Sequence, residues 1–234
     1  QVEPVRVVFS GLMAGATFRA IATGRFHCLA VTEDGRVAAW GANSRGQIGD
    51  GSFTNRWSPV EVRLTGGVSE PIVRAVAAGD EHSLALTSDG RVFAWGRNSD
   101  GQLGIGTLGS TSVPSLVPVS GVRLVAAGGS HSLAAGEDGR VWAWGRNAEG
   151  QLGTGTYDAS LLPALVRTSA WPPGAAVTAL SGGGSHSIAL TTDGGVFAWG
   201  LNSSGQLGDG RTVSRNVPAA VSYTHLTLPT TPYV

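Results

Sequence analysis

The chain has 234 residues, and its sixteen cations, all Arg, balance sixteen carboxylates to a formal net charge of zero. Charged residues make up 14%, against about a quarter in an ordinary domain, and they are scattered singly. Nothing here forms the basic stripe that a phosphate backbone requires, so nucleic acid is not an expected partner. No apolar run approaches the ~18 residues of a membrane span, so a membrane is not an expected partner either.

In chain order, Gln1–Thr23 lacks an initiating Met and a continuous apolar core, so it does not read as a signal peptide. Pro4-Val-Arg-Val7 matches Pro59-Val-Glu-Val62, one repeat further on, so the chain is expected to begin inside a repeat. The repeat core then appears four times, at 24–51, 79–106, 128–155 and 183–210. In every copy a His precedes a Trp at the same spacing: His27 and Trp40, His82 and Trp95, His131 and Trp144, His186 and Trp199. The spacing from Trp to a later Pro is equally constant, ending at Pro59, Pro114, Pro163 and Pro218. Only the stretch from Pro to the next core varies. It is equally long before Gly24, Gly79 and Gly183, and shorter between Pro114 and Gly128.

A period of about 50 points to a stacked array. Within the second core, His82–Thr87 and Val92–Trp95 are short apolar runs on either side of Asp89-Gly90, which supplies the positive φ angles of a tight hairpin turn. Both runs are apolar on both faces, as strands covered by a sheet on each side would be. Pro59–Leu64 and Ile72–Ala78 can supply two further strands. Four short strands make one unit, and one unit cannot bury two faces alone, so the units must stack. In the loop after each Trp, glycines and Asn98 suit tight or left-handed backbone, and one apolar residue (Ile48, Leu103, Leu152 or Leu207) pins the loop.

The run G-x-x-H-[SC]-[LI]-A … D-G-x-V-x-A-W-G-x-N-x-x-G-Q-[LI]-G resembles the repeat of the regulator of chromosome condensation family, over about residues 4–220. The resemblance implies an all-β fold: β-propeller blades of four antiparallel strands, here four blades of a seven-bladed parent ring. It also places the G-x-x-H turns together on one rim. Domain 1–220 is then propeller repeat. Residues 221–234 have no counterpart in any copy and resemble the translation of a sequencing adapter, so they are set aside. Four blades of a larger ring leave exposed edges, so self-association through them is expected.

Candidate chemistry is sparse. His27, His82, His131 and His186 occupy equivalent places in different units, so they lie on a ring and do not converge as zinc ligands must. Each is read as a structural histidine hydrogen-bonded to nearby backbone. Asp34, Asp89, Asp138 and Asp193 stand one per hairpin, without the clustered oxygens that calcium needs. The G-Q-L-G-x-G loops lack the Lys-Ser/Thr of a phosphate loop, and no G-x-S-x-G elbow occurs. No catalytic residue, metal or cofactor is assigned. Cys28, the single cysteine, replaces Ser83, Ser132 and Ser187 and reads as a small packed residue that leaves the compartment open. Trp40, Trp95, Trp144 and Trp199 read as packing between units, whereas Trp57 and Trp171 fall in spacers, each either an anchor for a partner or a loop-packing residue.

Light-sensing relatives of this fold carry Trp directly after the Gly of G-x-x-H. The matching positions are Arg25, Asp80, Gly129 and Gly184, so that chemistry is not expected. What varies between copies is the pair inside G-x-x-H, giving Arg25, Phe26, Asp80, Glu81, Ser130 and Ser185 as candidate partner-binding residues. The reading is a bacterial-type, non-catalytic scaffold that binds another protein. The alternatives are a guanine nucleotide exchange factor with its wedge in further blades, and a carbohydrate-binding or enzyme-associated module.

Overall fold

The computed structural model describes residue 3, residues 6–64 and residues 71–221. The sequence reading made 221–234 a non-repeat tail, but Val221 continues the repeat. Its N–H donates to Val196 O at 2.9 Å, as Val117 does to Val92 and Val166 to Val141, because the last outer strand closes like the two before it. The rest of that reading, 222–234, lies outside the described residues. After a short 3-10 turn at Gly11–Met13, the described residues form sixteen strands in four antiparallel sheets. Blade 1 is β1 (Phe18–Thr23), β2 (His27–Thr32), β3 (Val37–Gly41) and β4 (Arg56–Val62). Blade 2 is β5 (Val73–Ala78), β6 (His82–Thr87), β7 (Val92–Gly96) and β8 (Thr111–Leu116). Blade 3 is β9 (Val122–Ala127), β10 (His131–Gly136), β11 (Val141–Gly145) and β12 (Ser160–Leu165). Blade 4 is β13 (Val177–Gly182), β14 (His186–Thr191), β15 (Val196–Gly200) and β16 (Arg215–Ala220). Each sheet pairs its strands in chain order, with the first strand of each blade innermost.

The constant His-to-Trp spacing sets one register. His pairs with the Gly after Trp in every blade, as His27↔Gly41, His82↔Gly96, His131↔Gly145 and His186↔Gly200. The hairpin turn differs from the sequence expectation. Only its Gly has positive φ, 90° at Gly35 and 80° at Gly90, and among the described residues no residue other than glycine does. Asp34 and Asp89 stay in ordinary backbone because the loop is longer: Thr32 N–H donates to Arg36 O at 2.9 Å and Gly35 N–H to Thr32 O at 2.9 Å. The Asp side chain can then accept from its neighbours. Thr32 Oγ1 donates to Asp34, and Arg36 Nε donates to it at 2.9 Å. Those hydrogen bonds hold Asp34 below the usual carboxylate range.

Strand alternation divides each blade into two apolar faces. On β6, Leu84 and Leu86 pack toward blade 3, whereas Ala85 packs toward blade 1 with Phe93 and Trp95. Among the described residues three buried clusters result, one per junction, each centred on the Trp of the later blade: Trp95, Trp144 and Trp199. Each also holds the loop residue of the earlier blade, Ile48, Leu103 or Leu152. The shortening after Pro114 is absorbed before β9 and leaves the junction chemistry unchanged.

The loop Asn acts through its side chain. Asn98 Oδ1 accepts Leu103 N–H at 3.0 Å, and Nδ2 donates to Thr107 O at 2.7 Å and Gly109 O at 3.2 Å. Asn43, Asn147 and Asn202 make the matching bond to Ile48, Leu152 and Leu207, at 2.9, 2.9 and 3.0 Å.

Candidate functional site

The four histidines were expected to end on nearby backbone, and three of them instead reach the following blade. His27 Nε2 meets Ser83 Oγ, His82 meets Ser132 and His131 meets Ser187, all at 2.9 Å. Each Ser Oγ donates back to a carbonyl of the earlier blade, namely Gln47, Gln102 and Gln151, at 2.8 Å. The same carbonyl accepts the indole N–H of Trp95, Trp144 or Trp199 at 2.9, 2.9 and 2.8 Å. A hydroxyl has one proton, and the serine gives it to the carbonyl. The serine must therefore accept from His, which places the imidazole proton on Nε2.

Nδ1 of His27, His82 and His131 is then a buried atom without a hydrogen-bond partner among the described residues. It lies over a glycine: a Cβ on Gly79 would stand 2.2 Å from His82 Cε1 and 2.4 Å from Gly128 O. Burial pulls His27 down to about 4 and His82 and His131 to about 3, so all three are neutral at pH 7. These are junction clasps rather than reactive groups. Among the described residues no three His, Cys, Asp or Glu side chains gather as a metal site.

The variable turns do converge. A cavity of about 520 Å³ on the axis is lined by Thr23, Ala78, Ala127 and the turn residues that follow them. Backbone hydrogen bonds run from turn to turn around it. Arg25 N–H donates to Asp80 O at 3.2 Å, Asp80 N–H to Gly129 O at 3.1 Å, and Gly129 N–H to Gly183 O at 3.1 Å. The second residue of each turn is held again, through its carbonyl. Phe26, Glu81, Ser130 and Ser185 accept the N–H of Ala42, Arg97, Arg146 and Leu201, at 2.8, 2.9, 2.9 and 2.9 Å.

Side chains on this rim are thus carried by hydrogen-bonded backbone. Phe26 is 65% exposed, and the Arg25 guanidinium lies 5.2 Å from its ring centre. Asp80 is exposed, and Glu81 forms an ion pair with Arg97 at 3.1 Å. Ser130 and Ser185 are half-buried. The structure adds Ala42, Arg97, Arg146 and Leu201 to this surface. Their signal was present in the sequence, as the variable position of the otherwise constant Trp-Gly-x-Asn. The two spacer tryptophans part company: Trp171 is 8% exposed and stacks 5.4 Å from Phe197, whereas Trp57, on β4, is 89% exposed.

Stacked four-stranded blades with their first strands at the axis, and variable turns on one rim, define a repeat β-propeller. The chain belongs to the RCC1-like domain family, which matches residues 1–230. It is similar to the Arabidopsis thaliana ultraviolet-B receptor UVR8, 34% identical over 209 residues, covering 89% of this chain and 47% of that protein. It is also similar to the human probable E3 ubiquitin-protein ligase HERC3, 37% identical over 207 residues, covering 88% of this chain and 19% of that protein. The crystal structure of human WBSCR16 superposes with a TM-score of 0.81 at 30% identity, over 90% of this chain and 54% of that one. The chain therefore spans about half the length of UVR8 and WBSCR16, and less of HERC3.

Proposed function

We propose that this chain is a non-catalytic scaffold that binds another protein through its inner rim. The contact residues are Arg25, Phe26, Asp80, Glu81, Ser130 and Ser185, flanked by Ala42, Arg97, Arg146 and Leu201. The observation that carries the reading is that the residues varying inside the otherwise constant G-x-x-H turns sit on backbone that is hydrogen-bonded from turn to turn. A surface of fixed shape and mixed chemistry recognises a partner with little ordering cost on binding. An exposed aromatic beside an Arg, next to a carboxylate cluster, is the composition of a protein contact rather than of a phosphate groove.

The test compares the chain with a variant carrying Arg25→Ala, Phe26→Ala, Asp80→Ala and Glu81→Ala. Arg25, Phe26 and Asp80 are exposed and Glu81 gives up one partly exposed ion pair with Arg97, so thermal stability should change little. Partners retained by the parent chain and lost from the variant support the reading. Identical partner sets from both would sink it.

A further inference from the structure

The loop after the third strand ends the same way in every blade. The buried Asn that follows the flanking rim position holds two carbonyls, one on either side of a single residue. Asn43 Nδ2 donates to Ser52 O and Thr54 O, both at 3.0 Å, around Phe53. Asn98 does the same around Leu108, and Asn147 holds Thr156 O at 3.0 Å and Asp158 O at 2.9 Å around Tyr157. Asn202 brackets Thr212, with Arg211 O at 3.0 Å and Val213 O at 3.2 Å. The apolar side chains inside the brackets face solvent: Phe53 is 56% exposed, Leu108 55% and Tyr157 54%.

None of the three is needed to pack its loop, because Ile48, Leu103 and Leu152 already do so, fully buried. Each loop is also bonded to the following blade. Gly51 N–H donates to Ser112 O at 2.9 Å, Gly106 N–H to Leu161 O at 2.9 Å and Gly155 N–H to Asn216 O at 2.8 Å. Phe53, Leu108 and Tyr157 thus stay exposed over formed junctions. Single exposed apolar residues are ordinary on a protein surface. The same repeat position exposed in three consecutive blades, on clamped backbone, is a display. Covering such a side chain costs little further ordering.

The charge around the display is uneven. Over blades 2 and 3 the turns and loops of this rim carry Asp80, Glu81, Asp100, Glu149 and Asp158. Opposing them are Arg146, Arg97, which spans Glu81 at 3.1 Å and Asp100 at 3.7 Å, and Arg167, whose guanidinium reaches the loop at Gly155. Asp80 and Asp158 are exposed, and among the described residues neither they nor Glu149 form an ion pair. Over blade 1 the sign reverses: Arg25 and Arg45 are exposed, and Asp50 is paired with Arg56. We propose that the sector over blades 2 and 3 seats a segment of the partner protein that carries both apolar side chains and Lys or Arg. Leu108 and Tyr157 cover its apolar groups, and its cations meet the carboxylates of the same loops and turns. Phe53 stands over the basic sector, and Thr212 takes the apolar place in blade 4, so the seat is confined to blades 2 and 3. This assignment rests on the rim reading given above and names the chemistry of its partner.

The test titrates the full chain into three labelled peptides of equal length, read by fluorescence anisotropy. They alternate Leu with Lys, Leu with Glu, and Ser with Lys. The Leu–Lys peptide should bind, and the other two at least about tenfold more weakly, since each lacks one half of the match. Leu108→Ser with Tyr157→Ser should weaken the Leu–Lys peptide about tenfold. Glu149→Gln with Asp158→Asn should weaken it about threefold and flatten its salt dependence. None of the four side chains is buried, so each chain should fold, and circular dichroism checks that. Val113→Ser with Leu162→Ser removes similarly exposed apolar groups from the outer strands and should change nothing. Failure of the Leu–Lys peptide to bind, equal binding of the Leu–Glu peptide, affinity indifferent to Leu108→Ser with Tyr157→Ser, or an equal loss from the outer-strand pair would overturn the proposal. The rim reading is scored separately. If the variant at Arg25, Phe26, Asp80 and Glu81 loses its partners while Leu108→Ser with Tyr157→Ser keeps them, only the seat over blades 2 and 3 is refuted. If both keep them, the rim reading falls as well.

Discussion

Lowering the pH from 7 to 5 should loosen the stack through its buried histidines. Desolvation holds His27 at about 4 and His82 and His131 at about 3 in the folded chain, against an ordinary 6.5. The folded values lie below the unfolded ones, so the unfolded chain binds more protons between them. Stability is therefore complete above about 6.5 and falls as pH drops toward the folded values. At pH 5 each site costs about 2 kcal/mol, and the three together about 6 kcal/mol, of the order of a whole domain's stability. His186, lowered by the same cause, adds in the same direction. Asp34, Asp89, Asp138 and Asp193 are held below the usual carboxylate range and titrate outside this window. Urea unfolding at pH 7, 6 and 5 at constant ionic strength reads the slope, expected to approach about three protons near pH 5. His82→Gln keeps an N–H donor for Ser132 without a titrating ring, and should reduce the slope by about one proton. A stability that stays flat from pH 7 to pH 5 would refute the assignment of neutral, Nε2-protonated clasps.

Three further substitutions probe the same junctions. Ser132→Ala strands the His82 Nε2–H and should cost about 1–3 kcal/mol in urea unfolding, since a buried donor is left unsatisfied. Gly79→Ala should cost about 3 kcal/mol or more, because its methyl would meet both the His82 ring and the Gly128 carbonyl. Asn98→Ala removes three hydrogen bonds from a buried loop clamp and should cost about 3 kcal/mol, with hydrogen exchange rising first at Leu103.

The hairpins were legible because each is local. A His and a Trp at constant spacing with Asp-Gly midway leave room for one antiparallel pair, and His82↔Gly96 is that pair. The junctions were less legible because their partners are remote. His82 finds Ser132 fifty positions along and His131 finds Ser187 fifty-six along, across spacers of different length. The serine after each histidine looked like a neighbour in one motif, yet alternation along the strand turns it to the opposite face, toward the preceding blade. Asn98 was read for its backbone, but its side chain closes the loop, with the positive φ angles left to glycine. Trp57 and Trp171 looked alike as spacer residues. They separate only when the stack shows that Trp171 has Phe197 to lie on and Trp57 faces outward from blade 1. That two residues vary inside each G-x-x-H turn is visible in the four copies, and their place on one rim followed from the family resemblance. The flanking Arg97 and Arg146 were missed because one varied position sat inside a loop that otherwise looked structural.

The central claim is that the inner rim, rather than the outer edge, meets the partner. A photo-crosslinking amino acid placed singly at Phe26, Glu81 or Ser130 samples the rim, and one at Val113 or Leu162, both about half exposed, samples the outer strands. The account predicts that the three rim positions capture the same protein and the two outer positions do not. Capture from Val113 and Leu162 alone, with nothing from the rim, would contradict it.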